Sequence, residues 1–201
     1  MMPSSKAIVF DVVGTLVCYD NVYEAMDTIF GERLRAVGVQ PRLLTCCWLG
    51  TAEREHMYLA LSGRSAPILD LLGPLFYRVL RYADVLEPRR FANAEEVRRL
   101  VESYRGLRPR SGAVECISKL RDAGFLVWAF TAGDRERVEG YLAQAGIDLP
   151  DENLISCHWL PKSKPDPDAY RPLYEELSKQ GTKPWFAAAH MWDVSSARTI
   201  G

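Results

Sequence analysis

The sequence predicts an α/β protein, a parallel-sheet core interrupted after its first strand by an inserted block of helices. Three observations carry that expectation. A short run with the character of a buried strand, Lys6-Ala-Ile-Val-Phe10, ends on Asp11 and a Gly14-Thr15 turn. From Asn21 to about Tyr104, apolar residues recur at helical spacing with no strand pattern between them. From Ser111 onward, short apolar runs alternate with amphipathic helices, the pattern of right-handed crossovers between parallel strands. The expected boundaries are 1–17 and 107–201 for the core and 18–106 for the helical insertion.

Taken in order, Ala7 to Phe10 form the apolar heart of the first strand, and Asp11 stands at its carboxyl end. In open α/β sheets that end faces the crevice where ligands bind, so a carboxylate there is placed to act as a nucleophile. In the insertion, Val22, Ala25, Met26, Ile29, Phe30 and Leu34 share one helical face. A second helix spans Leu43 to Leu61 and closes at Ser62-Gly63, and Ile68, Leu71, Leu72, Leu75, Phe76, Val79 and Leu80 trace a third. Asn93 begins a fourth, with Glu96 three residues on as its capping-box partner. Trp48, Tyr58, Phe76 and Tyr77 are candidates for the lining of a lipophilic pocket under the insertion, but read mostly as core between these helices.

Beyond the insertion, Ser111 is expected to cap a helix carrying Val114, Ile117 and Leu120, which stops at Gly124. Phe125 to Phe130 is the second strand, and a helix from Asp134 carries Val138, Tyr141, Leu142 and Ala145 as far as Gly146. Asn153 to Cys157 is the third strand. Asp166-Pro167 opens a helix whose inner face is Tyr170, Leu173, Tyr174 and Leu177. Trp185 to Ala189 is the fourth strand, and a last helix begins at Ser195 and is two turns long at Gly201. A doubly wound sheet usually continues further, so the sequence reads as a fragment.

Composition narrows the function. A formal net charge of −1 lacks the basic excess that nucleic-acid binding calls for. No apolar run reaches the roughly 18 residues of a membrane span, and the N-terminus has no signal-peptide character. Five cysteines at 18, 46, 47, 116 and 157 show no metal-ligand spacing and fit a reducing, cytoplasmic setting. His56 and His158 carry no pattern that points to a site.

The strand ends are the informative places. Strand one delivers Asp11 and Thr15, strand two Thr131, the segment after strand three Lys164-Pro165-Asp166, and strand four His190 and Asp193. Asp-x-x-Gly-Thr-Leu after an apolar strand resembles the first motif of the haloacid dehalogenase superfamily. Thr131, Lys164-Pro165-Asp166 and Trp192-Asp193-x-x-x-Ala197-x-x-x-Gly201 resemble its other three, in the correct order and across nearly the whole chain. The resemblance implies a Rossmann-like parallel sheet and an all-helical cap. It also implies a mechanism in which Asp11 attacks an electrophilic centre and forms an ester that water then cleaves. In that mechanism Lys164 neutralises charge around the nucleophile, Thr15 and Thr131 orient oxygen atoms, and Asp193 positions Lys164 or activates the water.

Within the superfamily, phosphatases carry a second Asp two residues after the nucleophile, where this chain has Val13, and valine cannot protonate a leaving oxygen. Their magnesium ligand four residues before the last Asp is Ala189 here, so a metal cofactor is disfavoured. Halide leaves without a proton, and the metal-independent 2-haloacid dehalogenases resemble this chain more closely. By that resemblance Val12, Trp48, Leu49, Tyr170 and His190 are substrate-binding, with a small molecule as the partner. Their substrate-binding arginine corresponds to Leu49, their asparagine after the second motif to Ala132, and a serine and an asparagine near the fourth to Ala188 and His190. These departures imply a less polar pocket. Arg54 or Arg64 is a candidate substitute for the arginine, and His190 is a candidate base for the water step. Dehalogenases of this type are often dimers, so a homodimer is the assembly the analogy allows. The alternatives are a terpene cyclase or diphosphate-processing enzyme of the same fold, whose Asp-rich motifs this chain lacks, and a catalytically degenerate domain of a longer protein.

Overall fold

A computed structural model describes residues 6–157, 160–179 and 183–201; His158 lies outside them. The chain divides into two compact units, Met1–Cys18 with Arg108–Gly201, and Tyr19–Leu107. Each junction falls one residue later than the sequence suggested, and a short ribbon explains why. Strand β2 (Val17–Cys18) pairs antiparallel with β3 (Arg108–Pro109), Val17 opposite Pro109 and Cys18 opposite Arg108. The residues that enter and leave the insertion are therefore tied to each other inside the first unit.

That unit is built on a parallel sheet of β1 (Lys6–Phe10), β4 (Phe125–Thr131), β5 (Leu154–Ser156) and β6 (Trp185–Ala187). The strand order is β5-β4-β1-β6. β1 lies centrally, with Val9 opposite both Trp128 and Phe186. Its sequence is apolar because both faces are covered, which is the usual condition of a parallel strand. Ala7 and Val9 alternate onto a face shared with Phe130, Cys157, Ala169, Tyr170, Leu173 and Leu177. Pairing runs one residue past the strand, where the Asp11 N–H donates to the Ala187 carbonyl at 3.0 Å.

Helices connect the strands. α6 (Ala113–Asp122) is preceded by Gly112 at φ +80°, so glycine, not Ser111, stands at its N-cap. α7 (Arg135–Gln144) is capped by the Asp134 carboxylate, which accepts from the Arg137 N–H. Asp166 accepts from the Asp168 N–H and opens a 3-10 turn, Pro167–Ala169, before α8 (Arg171–Ser178). α9 (Met191–Ile200) begins four residues earlier than expected. Met191 is 89% exposed and only Asp193 is buried, so there was no apolar stripe to read at this helix's start.

The second unit is helical: α1 (Asp20–Ala36), α2 (Pro41–Leu61), α3 (Ile68–Tyr82), α4 (Pro88–Phe91) and α5 (Ala94–Ser103). Val22, Met26, Phe30 and Leu34 recur every four residues on α1 and are fully buried, as are Leu72, Phe76, Val79 and Leu80 on α3. The rings of Phe30 and Phe76 meet at 5.1 Å and those of Trp48 and Phe76 at 5.5 Å. Burying each such side chain stabilises by about 1.5–3 kcal/mol. The Asn93–Glu96 capping box is formed in both directions. The four-residue α4 gave no sequence signal, being too short to show a period. No helix among the described residues is long and apolar enough to cross a membrane.

Candidate active site

Asp11 leaves β1 into a turn whose backbone is unusually well held. The Val12 carbonyl accepts from the N–H groups of Thr15, Leu16 and Val17, at 3.2, 2.9 and 3.1 Å. Gly14 takes φ +85°, a conformation costly to any residue with a Cβ. Arg110 braces the same turn, donating to the carbonyls of Thr15 at 2.9 Å and Gly14 at 2.5 Å, while its own N–H donates to the Leu16 carbonyl at 2.8 Å. Nothing in the sequence around Arg110 marked it for that task.

The carboxylate of Asp11, 8% exposed, is engaged on both oxygens. Oδ1 accepts from Nζ of Lys164 at 3.1 Å, and Oδ2 accepts from the Thr15 hydroxyl at 2.7 Å. The Thr15 oxygen in turn accepts from the Ala189 N–H at 3.0 Å, joining the ends of β1 and β6. Lys164 is 1% exposed and places its ammonium between two carboxylates, reaching Asp193 Oδ2 at 2.8 Å. Three rings surround that ammonium: Phe130 at 4.7 Å, Phe186 at 5.4 Å and Tyr170 at 5.9 Å from their centroids. Aromatic faces attract a cation and exclude water from it. Asp193, fully buried, accepts the Tyr170 hydroxyl on its other oxygen.

Burial pushes the Asp193 carboxyl above its usual range; Lys164 opposes that shift and the nearby charge of Asp11 adds to it. Tyr170 is driven up as well, first by burial and then by the charge and hydrogen bond of Asp193. The ionic pairs exist because each charge has hydrogen-bond partners; removing one member of such a buried pair typically costs about 3–5 kcal/mol.

The structure brings Asp11, Thr15, Lys164, Asp193, Tyr170 and His190 together at one end of the sheet. Thr131 ends β4 and is buried, but its hydroxyl accepts from the Gly133 N–H at 3.0 Å and so serves its own turn. Asp193 does not cap α9; it is that helix's third residue and faces Lys164. Of the residues expected to meet substrate, Val12 is fully buried and contributes its carbonyl to the turn, and Tyr170 spends its hydroxyl on Asp193. In the helical unit, Trp48 is a core residue whose Nε1–H donates to the Leu72 carbonyl at 2.8 Å, and Leu49 is 4% exposed. Arg54 and Arg64 are both exposed.

His190 is placed differently. It stands at the N-cap of α9, with its ring stacked on Trp192 at 5.3 Å between centroids and its Nδ1 3.9 Å from Asp11 Oδ2. Gly14 packs beneath it: a Cβ on that glycine would lie 2.8 Å from His190 Cε1. Among the described residues no group of three or more His, Cys, Asp or Glu side chains converges as a metal site. The space between Asp11 and Asp193, where a cation bridging them would bind, is taken by the ammonium of Lys164.

A family model described as haloacid dehalogenase-like hydrolase matches residues 5–201. The (S)-2-haloacid dehalogenase 4A of Burkholderia cepacia is 26% identical over 201 residues, covering 100% of this chain and 82% of that enzyme. The (S)-2-haloacid dehalogenase 1 of Pseudomonas sp. (strain CBS-3) is 24% identical over 200 residues, covering 100% and 83%. A structure of the L-2-haloacid dehalogenase from Xanthobacter autotrophicus with chloropropionic acid covalently bound superposes with a TM-score of 0.72 at 22% identity, covering 98% of this chain and 75% of that one.

Proposed function

Given that the chain belongs to the haloacid dehalogenase-like hydrolase family, we propose that it is a hydrolase of the 2-haloacid dehalogenase type, working through an ester on Asp11 without a metal cofactor. The observation that carries this reading is the buried Asp11–Lys164–Asp193 chain, with contacts of 3.1 and 2.8 Å. It presents a carboxylate whose orientation is fixed by Thr15 and whose charge is matched by one cation held in an aromatic enclosure. A preset carboxylate of this kind needs no reorganisation to attack carbon.

One Asp11 oxygen bonds to the halogen-bearing carbon as the carbon–halogen bond breaks, and the halide departs with the bonding electron pair. Water then adds to the Asp11 carboxyl carbon, and the ester opens to release an alcohol and restore the carboxylate. Val13 is no obstacle, because halide departure requires no proton. Leu49 stands where the resemblance puts a substrate-binding arginine, so we expect a less polar substrate than a simple 2-haloacid, such as a neutral 2-halo amide or ester. The odd cysteine set supports a reducing, cytoplasmic setting, and a homodimer is the assembly supported by analogy.

Halide release from (S)-2-chloropropionate and from its neutral amide tests the proposal. Asp11→Asn is expected to lower turnover by roughly three orders of magnitude or more, since the nucleophile itself is lost. Full turnover by that variant would refute the ester route.

A further inference from the structure

We propose that His190, rather than Asp193, is the general base that activates water for cleavage of the Asp11 ester; this rests on the ester reading above. Asp193 is fully buried, and its two oxygens accept from Lys164 and Tyr170. Lys164 is a donor to both carboxylates. The hydroxyl of Thr15 donates to Asp11 and accepts from Ala189, and that of Thr131 accepts from Gly133.

His190 is the exception in this cluster. Its Nδ1 is buried and has no hydrogen-bond partner, although buried polar atoms nearly always have one. It lies 3.9 Å from Asp11 Oδ2, and the ring is held in place by Trp192 on one side and by the bare Cα of Gly14 on another. A gap of that size is too long for a direct hydrogen bond; a shift of the half-buried ring that opens Nδ1 to solvent once the ester has formed lets one water bridge the two groups. With the ring proton on Nε2, the Nδ1 lone pair accepts a proton from such a water as its oxygen bonds to the Asp11 carboxyl carbon. The tetrahedral adduct then breaks its bond to the Asp11 oxygen that had attacked carbon, and that oxygen leaves on the substrate fragment as an alkoxide. That alkoxide takes the proton of the new carboxyl group, and the imidazolium passes its proton to solvent. The sum is ester plus water giving carboxylate, alcohol and one proton.

Rapid-quench kinetics with (S)-2-chloropropionate and its amide separates the two halves of the reaction. The inference predicts that His190→Gln releases one equivalent of halide per chain in a burst. Steady turnover then falls roughly 10²–10³-fold, and the Asp11 peptide retains the mass of the substrate fragment. In His190→Ala, which vacates the ring's space, added imidazole should restore hydrolysis. A His190→Gln variant that keeps wild-type turnover, or a His190→Ala variant with a normal burst and no response to imidazole, would overturn the assignment. Label from ¹⁸O-enriched water that enters the product and not Asp11 in a single wild-type turnover removes the ester reading itself, and this inference with it.

Discussion

At the scale of single residues the site is a short line of alternating charge, Asp11, Lys164 and Asp193, ended by a neutral hydroxyl, Tyr170. Tyr170 makes that line sensitive to alkali. Its hydroxyl loses a proton less readily in the folded chain than an ordinary tyrosine, which ionises near pH ~10, because burial and the Asp193 carboxylate disfavour a phenolate. A group whose folded pKa is raised contributes stability that is complete below the unfolded pKa and is lost as pH rises beyond it. Above pH ~10 the unfolded tyrosine ionises while the folded one resists, so stability should fall by up to ~1.4 kcal/mol per pH unit from this group. Urea unfolding of the parent and of Tyr170→Phe between pH 9 and 11 checks this. The variant should lose that part of the slope, and equal slopes would mean that Tyr170 is not the group responsible.

Elements set where those residues stand, and here the turn after β1 matters most. Gly14 is needed twice, for its positive φ and for the space its missing Cβ leaves to His190. Gly14→Ala should cost about 1–2 kcal/mol in urea unfolding from backbone strain alone. It should also slow ester hydrolysis more than the halide burst, because the new methyl displaces the imidazole and leaves Asp11 and Thr15 in place. A variant with normal hydrolysis would show that the ring's position is unimportant. The β1 run, the spacing of α1 and α3, and the Asn93 cap were legible in the sequence because each is fixed by neighbours within a few residues. The β2–β3 ribbon, α4 and the start of α9 were not. The ribbon pairs residues ninety positions apart, α4 is one turn long, and α9 is positioned by a buried aspartate in place of an apolar face.

For the whole molecule, the two units draw their cores from separate stretches of chain. The insertion leaves the sheet's order intact because Val17–Cys18 and Arg108–Pro109 close it off. The sheet then gathers residues 11, 164, 190 and 193 at one end, a convergence that the order of motifs suggested. The sequence did not reveal which oxygen each donor serves, nor that Arg110 holds the turn, since these depend on tertiary approach. The central claim is that Asp11 carries the substrate as an ester. A single turnover in water enriched in ¹⁸O, with protein in excess over substrate, tests it most directly. The first label is expected to enter the Asp11 side chain and leave the product unlabelled, and label appearing in the product during that first turnover would contradict the ester route.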